Sequence, residues 1–176
     1  LIYYGTSQAK PWTRDARGTD GDALYSNSTL ALDPATGEMR WYFQHIPGDS
    51  HDMDETFERI LIDYDGKQSV FSMGKLAILW ELDRVTGEFL VGKPFAKQTW
   101  AEGLDSNGRP IRVPDTFPTP EGTLVSPPVV GGTNWFSPAY SPRTELFYVQ
   151  AYDGEDVFYQ RDEDYVEGDQ FTGGGF

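Results

Sequence analysis

Two stretches decide the fold: Leu30–Phe43, "LALDPATGEMRWYF", and Leu79–Gly92, "LWELDRVTGEFLVG". Both carry L-D-x-x-T-G-E between apolar runs, and Asp33 and Asp83 stand 50 residues apart. Each reads as a hairpin in which Asp caps the turn with its side chain and Gly37 or Gly87 supplies the positive φ. A degenerate third copy, "AYSPRTELFYV", has Glu145 at the glycine position, which weakens the match. Other short strand-like runs ("LIYYGT", "RILIDYD", "SVFSMG") are punctuated by Gly, Pro, Asp and Asn, and no long amphipathic helix is visible. Several strands per repeat, at a period of about 40–50 residues, is the pattern of propeller blades. The fold class predicted is all-β, a partial β-propeller of roughly three to four blades at about 50 residues each.

Working outward, the predicted organisation is a partial propeller over residues 1–153 followed by an acidic, Gly-ending loop or tail over 154–176. Residues 93–130 hold seven of the twelve prolines and little apolar periodicity, so they read as an inter-blade excursion that covers a site or a neighbouring blade. The start on Leu1 and the close on "GDQFTGGGF" suggest a piece of a longer protein. The net charge of −14 argues against nucleic acid, whose phosphates need Lys and Arg, and suits a protein that meets cations or a basic partner. There is no cysteine, which excludes thiolate-ligated zinc and iron–sulfur sites. No apolar run approaches the roughly 20 residues of a membrane span.

The stretch Pro47–Glu55, "PGDSHDMDE", places four acids in nine residues between two strand-like runs. Its bland reading is a solvated turn; its chemical reading is a site for a hard cation, which takes oxygen ligands. On a strand, Asp52 and Asp54 would project to the same side, and without an ion each would raise the other's pKa. Lys75, alone inside the apolar run "SMGKLAILW", needs an anionic partner.

These segments resemble the quinoprotein alcohol dehydrogenases, enzymes of pyrroloquinoline quinone (PQQ) built on an eight-bladed β-propeller. The resemblance runs from Leu1 to about Ala151 and is carried by "LIYYGTSQAKPW", "LALDPATGEMRWYFQHIPGDSHDMD", "GKLAILWELDRVTGEFL" and "GGTNWFSPAYSPRTELFYV". It implies that Asp52 is the catalytic base and a metal ligand, and that Asp54 is the extra carboxylate of the lanthanide-using subgroup. Gln8 falls where the family has a metal-binding Asn. Lys75 falls where a basic residue contacts the quinone oxygens, and Asn134 and Trp135 lie in the loop that reaches the cofactor edge. The family's Trp before the catalytic Asp is His51 here, read as a surface histidine. Trp12, Trp41, Trp80 and Trp100 read as structural, and the charged run Arg14–Asp22 as a solvated loop. Implied with the resemblance are PQQ, Ca²⁺ or a lanthanide ion, a small primary alcohol as substrate, a c-type cytochrome as electron acceptor, and a periplasmic location. The rival expectations are a PQQ-like-repeat scaffold without catalysis, a simple cation-binding module, and an inactive truncated piece.

Overall fold

The computed structural model describes residues 1–176. The chain runs β1 (Ile2–Gly5), α1 (Arg14–Arg17), β2 (Ser28–Leu32), β3 (Met39–Gln44), β4 (Ile60–Tyr64), β5 (Lys67–Met73), β6 (Ile78–Asp83) and β7 (Phe89–Pro94). It continues through β8 (Ala101–Leu104), β9 (Pro110–Arg112), β10 (Thr123–Val125), β11 (Ala139–Ser141), β12 (Leu146–Tyr148), β13 (Asp156–Gln160) and β14 (Gly174–Gly175). All named strand pairs are antiparallel. β4-β5-β6-β7 is a complete four-stranded meander; β1-β2-β3 and β11-β12 are a three-stranded and a two-stranded neighbour. This is an open, partial β-propeller, as the repeat predicts.

The three related turns close in the same way. The amide of Gly37 donates to Asp33 O and that of Gly87 to Asp83 O, both at 2.8 Å. The amide of Glu145 donates to Ser141 O, also at 2.8 Å. Glu145 itself holds the left-handed conformation, with φ 58°. The third copy therefore keeps the geometry while losing the glycine, because the bond that closes the turn is between backbone groups. Neighbouring blades are stapled by Trp41. Its ring lies over Gly87 of the next hairpin, and its Nε1 donates to Arg84 O at 3.2 Å.

The main core draws Ile46 from just before the acidic stretch and Met53 from within it, Trp80 from β6, Trp100 and Val125 from the proline-rich excursion, and Phe158 from β13. Two expectations change here. The excursion contains a hairpin, β8-β9, and its β10 pairs with β13. Residues 154–176 include β13 and β14 instead of forming a loop throughout. The Glu163 carboxylate accepts from the amides of Thr172 and Gly173, and Thr13 Oγ1 donates to Gly173 O at 2.9 Å. The acids that make the segment look like a solvated tail thus include the one that pins it. No helix is long and apolar enough to cross a membrane.

Candidate active site

The acidic stretch is irregular but buried, and its shape starts with Asp49. This carboxylate accepts from the amides of His51 and Met53, each at 2.9 Å, a local turn that Asp forms readily. Asp52 follows with φ 60°. Asp52 and Asp54 are therefore not alternate pleats of a strand, which corrects the geometric premise. They nonetheless aim together, because the residues between and after them are anchored elsewhere: Met53 is in the core and Glu55 is fully buried.

The loop is clamped from several distant segments. Arg17 Nη2 donates to Asp49 O at 2.8 Å, and Arg112 Nη2 to Pro47 O at 2.7 Å. The Asn27 amide donates to Met53 O. His51, expected at the surface, is 1% exposed. Its Nε2 donates to Thr116 O at 2.8 Å, because a carbonyl oxygen can only accept. Burial lowers its pKa, against the raising effect of Asp49 and the Thr116 hydrogen bond. Arg14–Arg17, expected in a solvated loop, forms the short helix α1, begun by Thr13 and closed by Gly18.

Three of the predicted residues meet at this loop. Lys75 Nζ lies 2.8 Å from Asp54 Oδ2 and 3.4 Å from Asp52 Oδ2, and it donates to Asp52 O at 2.7 Å. The side chains of Lys75, Asp52 and Asp54 are 8%, 15% and 14% exposed. A lone ammonium at this depth would cost several kcal/mol, so the two carboxylates supply the counter-charge it needs. Asp52 has its pKa raised, first by burial, with Lys75 lowering it and Asp54 adding to the rise. Mutual repulsion of the carboxylates is thus a lesser cause than burial.

Gln8 reaches the site through its backbone: its amide donates to Asp54 Oδ1 at 3.2 Å. Asn134 spends its side chain within its own loop, with Nδ2 donating to Val130 O at 2.7 Å and Oδ1 accepting from the Trp135 amide. Trp135 is 72% exposed and packs its ring 5.2 Å from that of Phe57. The Gly131-Gly132 pair brings this loop against Lys75. A Cβ on Gly131 would lie 2.6 Å from Lys75 Cγ, and the Gly132 amide donates to Lys75 O at 2.9 Å. The glycines therefore serve a close approach to the protein's own chain.

The site fits a hard cation on one observation. Asp52 Oδ1 is buried and meets no hydrogen-bond donor, so it is an oxygen ligand still to be satisfied. No group of three or more His, Asp or Glu side chains is clustered for a metal; the converging set is two carboxylates and an ammonium. A cleft of about 610 Å³ lies elsewhere, between β7 and β8, and contains none of these residues. Sequence reading missed Asn27, Asp49, Arg17 and Arg112, which hold the loop, and Glu55, which lies beneath it. Only Asp49 leaves a local signal, an Asp two and four residues before the amides it caps.

Comparison with known proteins gives the family of the chain. The family described as "PQQ: Glucose/ethanol/alcohol dehydrogenase, beta-propeller domain" matches residues 1–94. The quinoprotein alcohol dehydrogenase PedH of Pseudomonas putida is 37% identical, over 100% of this chain and 31% of its own length. The 1-butanol dehydrogenase (cytochrome c) of Thauera butanivorans is 36% identical, over 80% of this chain and 21% of its own. A europium-containing methanol dehydrogenase superposes with a TM-score of 0.88 at 31% identity, covering 98% of this chain and 31% of that one. The chain thus spans about a third or less of the length of these relatives.

Proposed function

The chain belongs to the PQQ-dependent quinoprotein alcohol dehydrogenases, and we propose that it carries the base and the cation site of an enzyme that oxidises a primary alcohol to an aldehyde. The observation that supports this reading is the meeting of Asp52 and Asp54 on Lys75, with Asp52 Oδ1 buried and unpartnered. Asp52 and Asp54 would hold the ion, with Gln8 beside them; Lys75, with Asn134 and Trp135 from the adjoining loop, would hold the quinone.

The bound quinone supplies a two-electron acceptor and the ion a Lewis acid. Asp52 takes the hydroxyl proton of the alcohol, the work of a carboxylate held within reach of it. Lys75 brings a fixed positive charge to the oxygens on which negative charge grows during reduction. Shielding by the surrounding loops, which leaves these side chains at most 15% exposed, keeps that charge effective in a poorly hydrated site.

The ion is Ca²⁺ or a lanthanide. Asp54 adds a second carboxylate, which a trivalent ion rewards more than a divalent one, and the europium-containing neighbour supports the lanthanide. The acceptor is a c-type cytochrome, supported by the relative named for cytochrome c, and the location is the periplasm.

In the full-length protein, Asp52→Asn is expected to lower dye-linked alcohol oxidation by about 10²–10⁴-fold while the quinone stays bound. Undiminished turnover would contradict the assignment of the base. Asp54→Ala is expected to abolish La³⁺-dependent activity and leave part of the Ca²⁺-dependent activity; equal responses would contradict the lanthanide preference.

A further inference from the structure

Glu55 has no part in the site as described, yet the fold makes special room for it. It is fully buried, and its carboxyl group meets no side-chain donor, with the Leu76 amide as its backbone neighbour. Its carboxyl group lies flush on Gly74, where an added Cβ would overlap it. Gly5 is likewise required, since a Cβ there would overlap Glu55 O and the Arg59 guanidinium.

Arg59 braces the backbone from below. It donates to Glu55 O at 2.6 Å, to Phe57 O, and through Nε and Nη2 to Thr29 Oγ1 at 3.1 and 2.9 Å. Thr29 in turn meets His45 Nε2 at 2.8 Å. Having accepted from Arg59, the hydroxyl is left to donate its one proton to that nitrogen. Residue 55 is thus tied back to β2 by a buried polar chain.

What Glu55 presses upon is the peptide that carries Lys75. Gly74 immediately precedes Lys75, and the Lys75 amide donates to Asp54 O at 3.3 Å. The stretches 54–55 and 74–75 are therefore matched backbone to backbone.

We propose that Glu55 is a positioning residue: its carboxyl group wedges the Gly74–Lys75 peptide and so sets the Lys75 ammonium between Asp52 and Asp54. The proposal rests on the reading of Lys75 as a quinone-holding residue and names what places it.

The test is a double-mutant cycle in the full-length protein, read as PQQ dissociation constants, with a thermal unfolding curve for each variant. Glu55→Asp keeps the carboxyl group but withdraws it by one methylene, and Glu55→Gln keeps the length. With Lys75 present, Glu55→Asp is expected to weaken PQQ binding about tenfold, whereas in a Lys75→Ala background it changes binding by less than about twofold. Glu55→Gln stays within about twofold of the parent, as shape alone would dictate. Equal losses in both backgrounds, or a lowered melting temperature with unchanged PQQ affinity, would make Glu55 a mere filler and overturn the proposal. So would a loss for Glu55→Gln as large as that for Glu55→Asp. If Lys75→Ala alone leaves PQQ binding unchanged, the reading of Lys75 falls and takes the proposal with it. If that variant binds weakly while Glu55 acts additively, the proposal alone falls.

Discussion

The repeat turns and the acidic loop both bend the chain on an aspartate that caps backbone amides, yet they are held in opposite ways. Asp33 Oδ1 accepts from the Ala35 amide, and Asp83 Oδ1 from those of Val85 and Thr86; each turn is then closed by a bond within five residues. Asp49 caps His51 and Met53 in a similar manner. The rest of its loop, however, hangs on Arg17, Asn27, Lys75, Arg112, Thr116 and the amide of Gln8. A turn made by its own residues can be repeated anywhere in a chain. A loop clamped from five other segments exists only once those segments are assembled, and that is where the carboxylates and the ammonium converge.

Removing each cap breaks the comparison most sharply. Asp49→Ala strands two amides in a buried loop and is expected to cost about 3 kcal/mol in denaturant unfolding of the full-length protein. Asp33→Ala, whose amide partner is exposed, should cost much less in the same measurement. Equal costs would mean that the two capped bends are energetically alike.

The turns themselves differ by one contact. At Gly87 an added Cβ would lie 2.7 Å from the Trp41 ring, while at Gly37 it would meet nothing within 4 Å. Both glycines have positive φ, 75° and 80°. Gly37→Ala should therefore cost about 1 kcal/mol from backbone strain alone, and Gly87→Ala about 2–3 kcal/mol, because overlap with a packed ring is added. A matched pair of melting curves measures the difference; no difference would deny Trp41 its stapling role.

The last effect concerns pH. His45 is buried beside Thr29 and Trp80, and burial, helped by the positive charge of Arg59, lowers its pKa well below the ordinary 6.5. The unfolded chain therefore takes up the proton first, and stability falls as pH drops below 6.5. His45→Gln should flatten the loss between pH 7 and 5 by up to about 2 kcal/mol. An unchanged slope would show that other groups carry it.

The hairpins were legible because Asp-x-x-Thr-Gly states its geometry within a few residues. The third copy was undervalued, since Glu145 shows that the turn needs a positive φ more than it needs glycine. That Asp52, Asp54 and Lys75 come together was expected from the resemblance, and that Lys75 needs an anion from the apolar run around it. The fold of the acidic stretch was not, because Arg17 and Arg112 are distant in sequence and each reads alone as a surface arginine. Glu55 was hidden inside a run of acids whose members point to different places. The segment 154–176 was misread because Glu163 and Phe158 show their partners only in three dimensions.

The central claim is that Asp52 and Asp54 share one ion beside Lys75. An anomalous difference map from crystals of the full-length protein grown with PQQ and terbium tests it most directly. A single peak within about 2.3–2.6 Å of carboxylate oxygens from both aspartates is predicted. A peak bound elsewhere, or one touching neither aspartate, would contradict it.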